Sequence, residues 1–120
     1  EKGDDSETWY YYGNLLRDQK QLNEALVAFQ NSANLKANKF VYHNLGITYF
    51  DLQRYLEAAT WFRKALELEP SQLVSANYLA YAYHKHGDRA SAEAAYQHAM
   101  RLSPNNQELR NNYQVFLNGN

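Results

Sequence analysis

The side chains in this sequence best suited to metal binding or proton transfer are four histidines, above all His84 and His86, with Asp88 two residues further on. On a helix, residues two apart point roughly 200° away from each other, whereas the paired ligands of a helical zinc site stand four apart on one face. The spacing therefore argues against a metal pair. It places both imidazoles near a helix end, where a positive charge favours the negative pole of the dipole. His43 and His98 have no Cys or carboxylate at ligand spacing, and Glu67 and Glu69, two apart, do not converge as a general acid and base must. The five Gly form no phosphate-cradling loop, and neither a Gly-x-Ser-x-Gly elbow nor a His-Glu-x-x-His run occurs. The residues imply no catalytic group, no metal site and no cofactor.

What remains is recognition by amides and rings. Hydrophobic residues make up 45% of the chain, eleven of them Tyr, yet the mean hydropathy is -0.74. The apolar surface is thus amphipathic, with hydroxyls to place. Twelve Lys and Arg nearly balance thirteen Asp and Glu, and the net charge of -1 supplies no field to attract nucleic acid or an anionic membrane. The absence of Cys excludes disulfides and thiolate chemistry and suits cytosol and periplasm alike, so the compartment stays open. No apolar run approaches the roughly 20 residues of a membrane span. The polar start is unlike a signal peptide, and a first residue other than Met points to a processed form or a piece of a longer chain.

The elements that must position these groups follow from a repeat. Ala25, Phe29 and Ser32 recur as Ala58, Phe62 and Ala65, then as Ala92, Tyr96 and Ala99, at offsets of 33 and 34. Upstream of each trio stands a second matching set: Trp9, Tyr12, Gly13 and Leu16; Tyr42, Leu45, Gly46 and Tyr49; Ala76, Leu79, Ala80 and Tyr83. Spacing of i, i+3, i+4, i+7 puts each set on one helical face, so every unit is expected to be a helical hairpin. Pro70 and Pro104 end the second helices of two units, and small residues at 13, 46 and 80 let paired helices approach.

The motif Trp9-x2-Tyr12-Gly13-x2-Leu16, its two counterparts, and Ala25-x3-Phe29, Ala58-x3-Phe62 and Ala92-x3-Tyr96 resemble the tetratricopeptide repeat. The resemblance implies an all-α, right-handed superhelical solenoid of antiparallel helix pairs, about seven helices in all. Its units are expected at 6–38, 39–72 and 73–106, after a disordered lead-in at 1–5. A capping helix at 107–117, with Leu109, Tyr113, Phe116 and Leu117 apolar, and a tail at 118–120 complete the chain. The first unit departs from the pattern in being one residue short and in carrying Ala37 where the others carry Pro.

In the family it resembles, first helices line a concave face that binds extended or helical peptides. Helical spacing turns Tyr10, Asn14 and Arg17 of the first such helix to that face, with Tyr11 and Asp18 beside them. The second helix offers His43, Asn44, Ile47 and Phe50, flanked by Phe40 and Asp51, and the third offers Asn77, Tyr78, Tyr81, His84 and Lys85, flanked by Val74. Asn amides can bridge a peptide backbone whatever its side chains, and rings offer apolar seats. Tyr11 and Tyr78 are equally well placed to pack against a neighbouring unit. One subfamily clamps the terminal carboxylate of chaperone tails with Lys and Asn, then Asn, then Lys and Arg. The positions matched here are Tyr10 and Asn14, then Asn44, then Asn77 and Tyr81, so both Asn are kept and all three cations are replaced. A chaperone C-terminal tail is therefore an unfavoured ligand. The sequence predicts a non-catalytic adaptor that holds a largely uncharged peptide or helix of a partner protein. The alternative is self-association, through stacked apolar faces of terminal units, into a homo-oligomer or a longer array.

Overall fold

The computed structural model describes residues 6–119, and the expected lead-in at 1–5 lies outside them. Those residues form seven α-helices and no strand: α1 Ser6–Asp18, α2 Leu22–Leu35, α3 Lys39–Asp51, α4 Tyr55–Leu68, α5 Leu73–His86, α6 Arg89–Leu102 and α7 Gln107–Leu117. Consecutive helices pack as hairpins, α1 on α2, α3 on α4 and α5 on α6, and each hairpin stacks on the next through α2 on α3 and α4 on α5. The result is an elongated solenoid of 50 × 25 × 22 Å.

The pairing depends on missing Cβ atoms. A Cβ built at Gly13 would stand 2.7 Å from the ring of Phe29, and one at Gly46 would stand 2.6 Å from the ring of Phe62. Both rings are fully buried, so neither can swing away. Ala80, Ala58 and Ala92, also fully buried, keep the matching approaches short elsewhere. Several helix boundaries have an identifiable cause. Pro70 and Pro104 follow the ends of α4 and α6. Where the first unit carries Ala37 in place of Pro, Asn38 starts α3 by accepting hydrogen bonds from the backbone N–H of Phe40 at 2.7 Å and Val41 at 3.3 Å. Asp88 caps α6 in the same way, through the N–H of Ser91.

The turns inside the hairpins share one backbone conformation. Lys20, Gln53 and Gly87 hold equivalent places and all adopt positive φ, at 64°, 62° and 98°. Only the third unit uses the residue that reaches this region without strain. At the far end, α7 buries Leu109 and Phe116 against the last hairpin. Arg89 holds it there, its guanidinium 4.2 Å from the Phe116 ring centroid and donating to the Phe116 carbonyl at 2.7 Å.

Two positions differ from the sequence expectation. Leu117, the last residue of α7, is 51% exposed and not packed with Leu109 and Phe116. Tyr12, assigned by spacing to the packing face, is 50% exposed, whereas its counterparts Leu45 and Leu79 are 0% and 8% exposed. Leu45 and Leu79 belong to hairpins with a preceding helix, α2 or α4, stacked on them. Tyr12 has none among the described residues.

Gly46→Ala is expected to lower stability by about 1–3 kcal/mol through overpacking against Phe62. Gly87→Ala, where nothing lies within 4 Å of the new Cβ, should cost about 1 kcal/mol through backbone strain alone. Urea denaturation measures both, and an unshifted midpoint for Gly46→Ala would show that the helices do not approach as closely as described.

Candidate functional site

The first helices α1, α3 and α5, joined at the end by α7, form one face, and its chemistry is built from amides and rings. At its centre Asn44 donates both amide hydrogens to α1, to Asn14 Oδ1 at 2.9 Å and to the Tyr10 hydroxyl at 3.3 Å. Asn44 holds its place because Thr48, one turn later and fully buried, bonds the Asn44 carbonyl at 2.7 Å. The bond to Asn14 leaves the pair complementary: Asn14 Nδ2 and Asn44 Oδ1 have no partner among the described residues. The pair thus keeps one donor and one acceptor that no described residue uses.

Between α3 and α5 the rings interlock. Phe50 stacks on Tyr81 at 5.4 Å between centroids and meets Tyr78 and Tyr55 edge-on at 5.9 and 5.1 Å. Tyr78 in turn stacks on the buried Phe62 at 5.4 Å. Of the expected groove residues, Ile47, Phe50 and Tyr78 thus serve partly as packing, all three being half-buried against the core. Tyr81 and Asn77 keep part of their surface on the face. Lys85 lies over the outer edge of Tyr81, 6.0 Å from its centroid, and Arg17 stays partly exposed at the end of α1.

The histidines go elsewhere. His43, expected in the groove, turns between α3 and α5, with Nδ1 2.9 Å from the hydroxyl of the fully buried Ser75 and its ring against Phe62 and Tyr78. His84, expected first at a helix end and then in the groove, points into the junction of α5, α6 and α7. Its Nδ1 lies 3.1 Å from the Tyr96 hydroxyl, and its ring centroid is 5.2 Å from that of Phe116. Burial pushes the Tyr96 hydroxyl well above the usual phenol range. Both imidazoles, each half-buried, thus partner buried hydroxyls, and His84 does so from the last turn of α5, the helix end at which it was expected. No group of three His, Cys, Asp or Glu among the described residues is arranged to hold a metal ion, and no described helix is long and apolar enough to cross a membrane.

Two cavities open on this face. One of about 420 Å³ lies between the first turns of α1 and α3, with Tyr10, Tyr11, Phe40 and Asn38 in its lining. The other, about 370 Å³, lies between α5 and α7 and is lined by Leu73, Val74, Asn77, Tyr78 and Tyr81 together with Asn106, Glu108 and Asn112. The last three were missed by sequence reasoning, which read the final helix only as a cover. The amide oxygen of Asn77 is buried and accepts no hydrogen bond. Neither Asn77 and Tyr81 nor Val74 and Tyr78, their neighbours on the same side of α5, brings a cation, and among the described residues the α5–α7 cavity is lined by a single charged group, the carboxylate of Glu108.

A family model described as the tetratricopeptide repeat matches residues 40–105. The chain belongs to the tetratricopeptide repeat family. A wheat (Triticum aestivum) protein named Hsp70-Hsp90 organizing protein is 31% identical over 99 residues, covering 82% of this chain but only 17% of its own length. Among solved structures, the first repeat domain of Spaghetti (RPAP3) bound to the HSP90 peptide SRMEEVD is 19% identical and superposes with a TM-score of 0.89, over 98% of this chain and 94% of that one. The second such domain of human RPAP3, in complex with the HSP70 peptide SGPTIEEVD, is 17% identical with a TM-score of 0.84, over 92% and 97%. At these identities the two structures establish the solenoid fold, and the family makes the chain a protein-interaction module with a protein partner. The relatives do not favour the expectation that a chaperone tail is an unsuitable ligand.

Within this tetratricopeptide repeat chain, His43 ties stability to pH. Burial, and then the charge of Arg17, lower its pKa from 6.5 to about 4. The unfolded chain therefore binds more protons between those values, and stability is complete above about pH 6.5 and declines as pH falls toward 4. The expected loss is at most about 3 kcal/mol, read as a falling urea midpoint. His43→Gln should flatten that part of the profile; an unchanged slope in the variant would remove His43 as its source.

Proposed function

We propose that this chain is a non-catalytic adaptor that grips a peptide segment of a partner protein along the face of α1, α3, α5 and α7, without a cationic clamp on a chain terminus. The observation that carries this reading is the Asn14 and Asn44 pair, whose unbonded Nδ2 and Oδ1 are a donor and an acceptor for the C=O and N–H groups along the backbone of an extended peptide. The two cavities flank that pair at α1–α3 and α5–α7 and offer seats for side chains on either side. Phe40 and Val74, both more than half exposed, supply apolar surface that such a peptide would cover.

The relatives whose structures hold HSP90 and HSP70 peptides make chaperone tails the first ligands to try. A terminal carboxylate is held strongly by charge-assisted hydrogen bonds, and the positions matched to a clamp carry Tyr10, Asn77 and Tyr81. The carboxylate of Glu108 in the α5–α7 cavity adds repulsion. Recognition by amides and rings fits these residues better, and any tail that binds would do so through its backbone and apolar side chains.

Two measurements test the reading. A library of nine-residue peptides displayed on beads should yield enriched binders for the native chain, and Asn44→Ala combined with Tyr81→Ala should weaken them at least about tenfold while helicity and melting stay unchanged. Calorimetry with the peptide SRMEEVD, as the free acid and as the C-terminal amide, should give affinities within about twofold of each other. Binding unaltered in the double variant would sink the proposed face, and a tenfold preference for the acid would restore the clamp.

A further inference from the structure

The cavity between α5 and α7 holds a polar atom whose partner the repeat supplies once and then omits. In the preceding unit, His43 on α3 meets the hydroxyl of Ser75 on α5 at 2.9 Å. Asn77 stands 34 residues after His43, and 34 residues after Ser75 stands Leu109 on α7, fully buried and without a polar group. The amide oxygen of Asn77 is correspondingly closed off from solvent with no donor. The space it borders lies between α5 and α7, not on the outer side of α7.

The groups around that space describe the donor that would fit. The rings of Tyr78 and Tyr81 and the carboxylate of Glu108 line it, and Leu73 and Val74 form an apolar margin. Glu108 is exposed and makes no ion pair among the described residues. Lys85, over the outer edge of Tyr81, stands outside the lining. A suitable occupant therefore has N–H groups for two oxygens, a positive charge, a flat face for a tyrosine ring and an apolar stem to cover Val74. An arginine side chain has all four. A lysine brings the charge and the stem, but its compact ammonium has no flat face to lay on a ring. A terminal carboxylate would meet Glu108 and leave the Asn77 oxygen unmatched.

We infer that the peptide held on this face carries an arginine whose guanidinium enters the α5–α7 cavity and donates to Asn77 Oδ1 and to the carboxylate of Glu108. The inference rests on the peptide-binding reading above and adds the side chain that the cavity selects. Capture of the backbone at Asn14 and Asn44 is indifferent to sequence, so the choice among peptides falls to this cavity.

The nine-residue bead library tests it. Binders enriched on the native chain should share one Arg, and citrulline in its place, which keeps the shape and removes the charge, should weaken them at least about tenfold. Glu108→Gln should weaken the Arg peptide about fivefold and leave the citrulline peptide unchanged. Asn77→Leu should weaken the Arg peptide as well, without lowering the melting temperature, because it removes the unmatched oxygen. Binders that lack Arg, Arg and citrulline forms that bind equally, or an Arg requirement untouched by both substitutions would each overturn the inference and leave the peptide-binding reading standing. A native chain that enriches no binder would overturn that reading and the inference with it.

Discussion

Everything in this molecule depends on how closely two helices can approach when one of them has no side chain at the crossing. Gly13 and Gly46 let the rings of Phe29 and Phe62 lie where a methyl group would collide. Packing at that separation turns two amphipathic helices into a hairpin with a flat, apolar flank. The flank is then covered by the next hairpin, and stacking continues until α7 ends it. Stability accumulates by neighbour contacts of this kind and not around one central core, which matches the division of the buried residues into two clusters, one around Phe29 and Leu45 and one around Phe62, Tyr96 and Phe116.

The same constraint frees one face for recognition. Second helices such as α2 and α4 are held on two sides, by their own hairpin and by the next. First helices meet one another only sparsely, so their remaining surface can carry side chains chosen for something other than burial. Asn44 illustrates the result. A polar amide at the middle of a packed array is tolerated because its own helix and its neighbour satisfy it, through Asn14, Tyr10 and the support of Thr48. Its oxygen and the Asn14 nitrogen have no partner among the described residues.

Helix positions and the crossing glycines were legible in the sequence because they follow a strict spacing, and the cap was legible because Leu109 and Phe116 carry the helical period to its end. The inward turn of His43 and His84 was not. Helical spacing says which residues share a side of a helix, but a first helix in a stack has three buried sides, toward its own partner, the previous hairpin and the next first helix. Which of these takes a histidine depends on a buried hydroxyl elsewhere in the chain: Ser75 lies 32 residues from His43, and Tyr96 lies 12 residues from His84. Tyr12 escaped for another reason. A periodic pattern describes a repeat with a neighbour on each side, and α1 keeps the pattern with no preceding helix among the described residues. Lys20 and Gln53 hid the shared left-handed turn because only Gly87 signals that conformation by residue type.

The cavity between α5 and α7 shows how a cover becomes part of a site. A capping helix needs only apolar residues inward and polar ones outward, and α7 satisfies that with Leu109 and Phe116 against Arg110 and Gln114. Its packing on α6 and α5 is sparser than that of a full hairpin, so its first turn stands off and leaves space beside Val74 and Tyr78. Asn106, already fixed as the cap of α7 through the N–H of Leu109 at 2.9 Å, therefore borders a cavity it was not needed to border. Across that space the amide oxygen of Asn77 is buried without a donor, a deficit of about 1–3 kcal/mol for a polar group in such a setting. A small turn of the amide toward a donor entering the cavity would remove it. Of the groups lining that space only Glu108 is an acceptor alone, since the amides of Asn106 and Asn112 can donate as well as accept, and Asn106 already spends its oxygen on the N–H of Leu109.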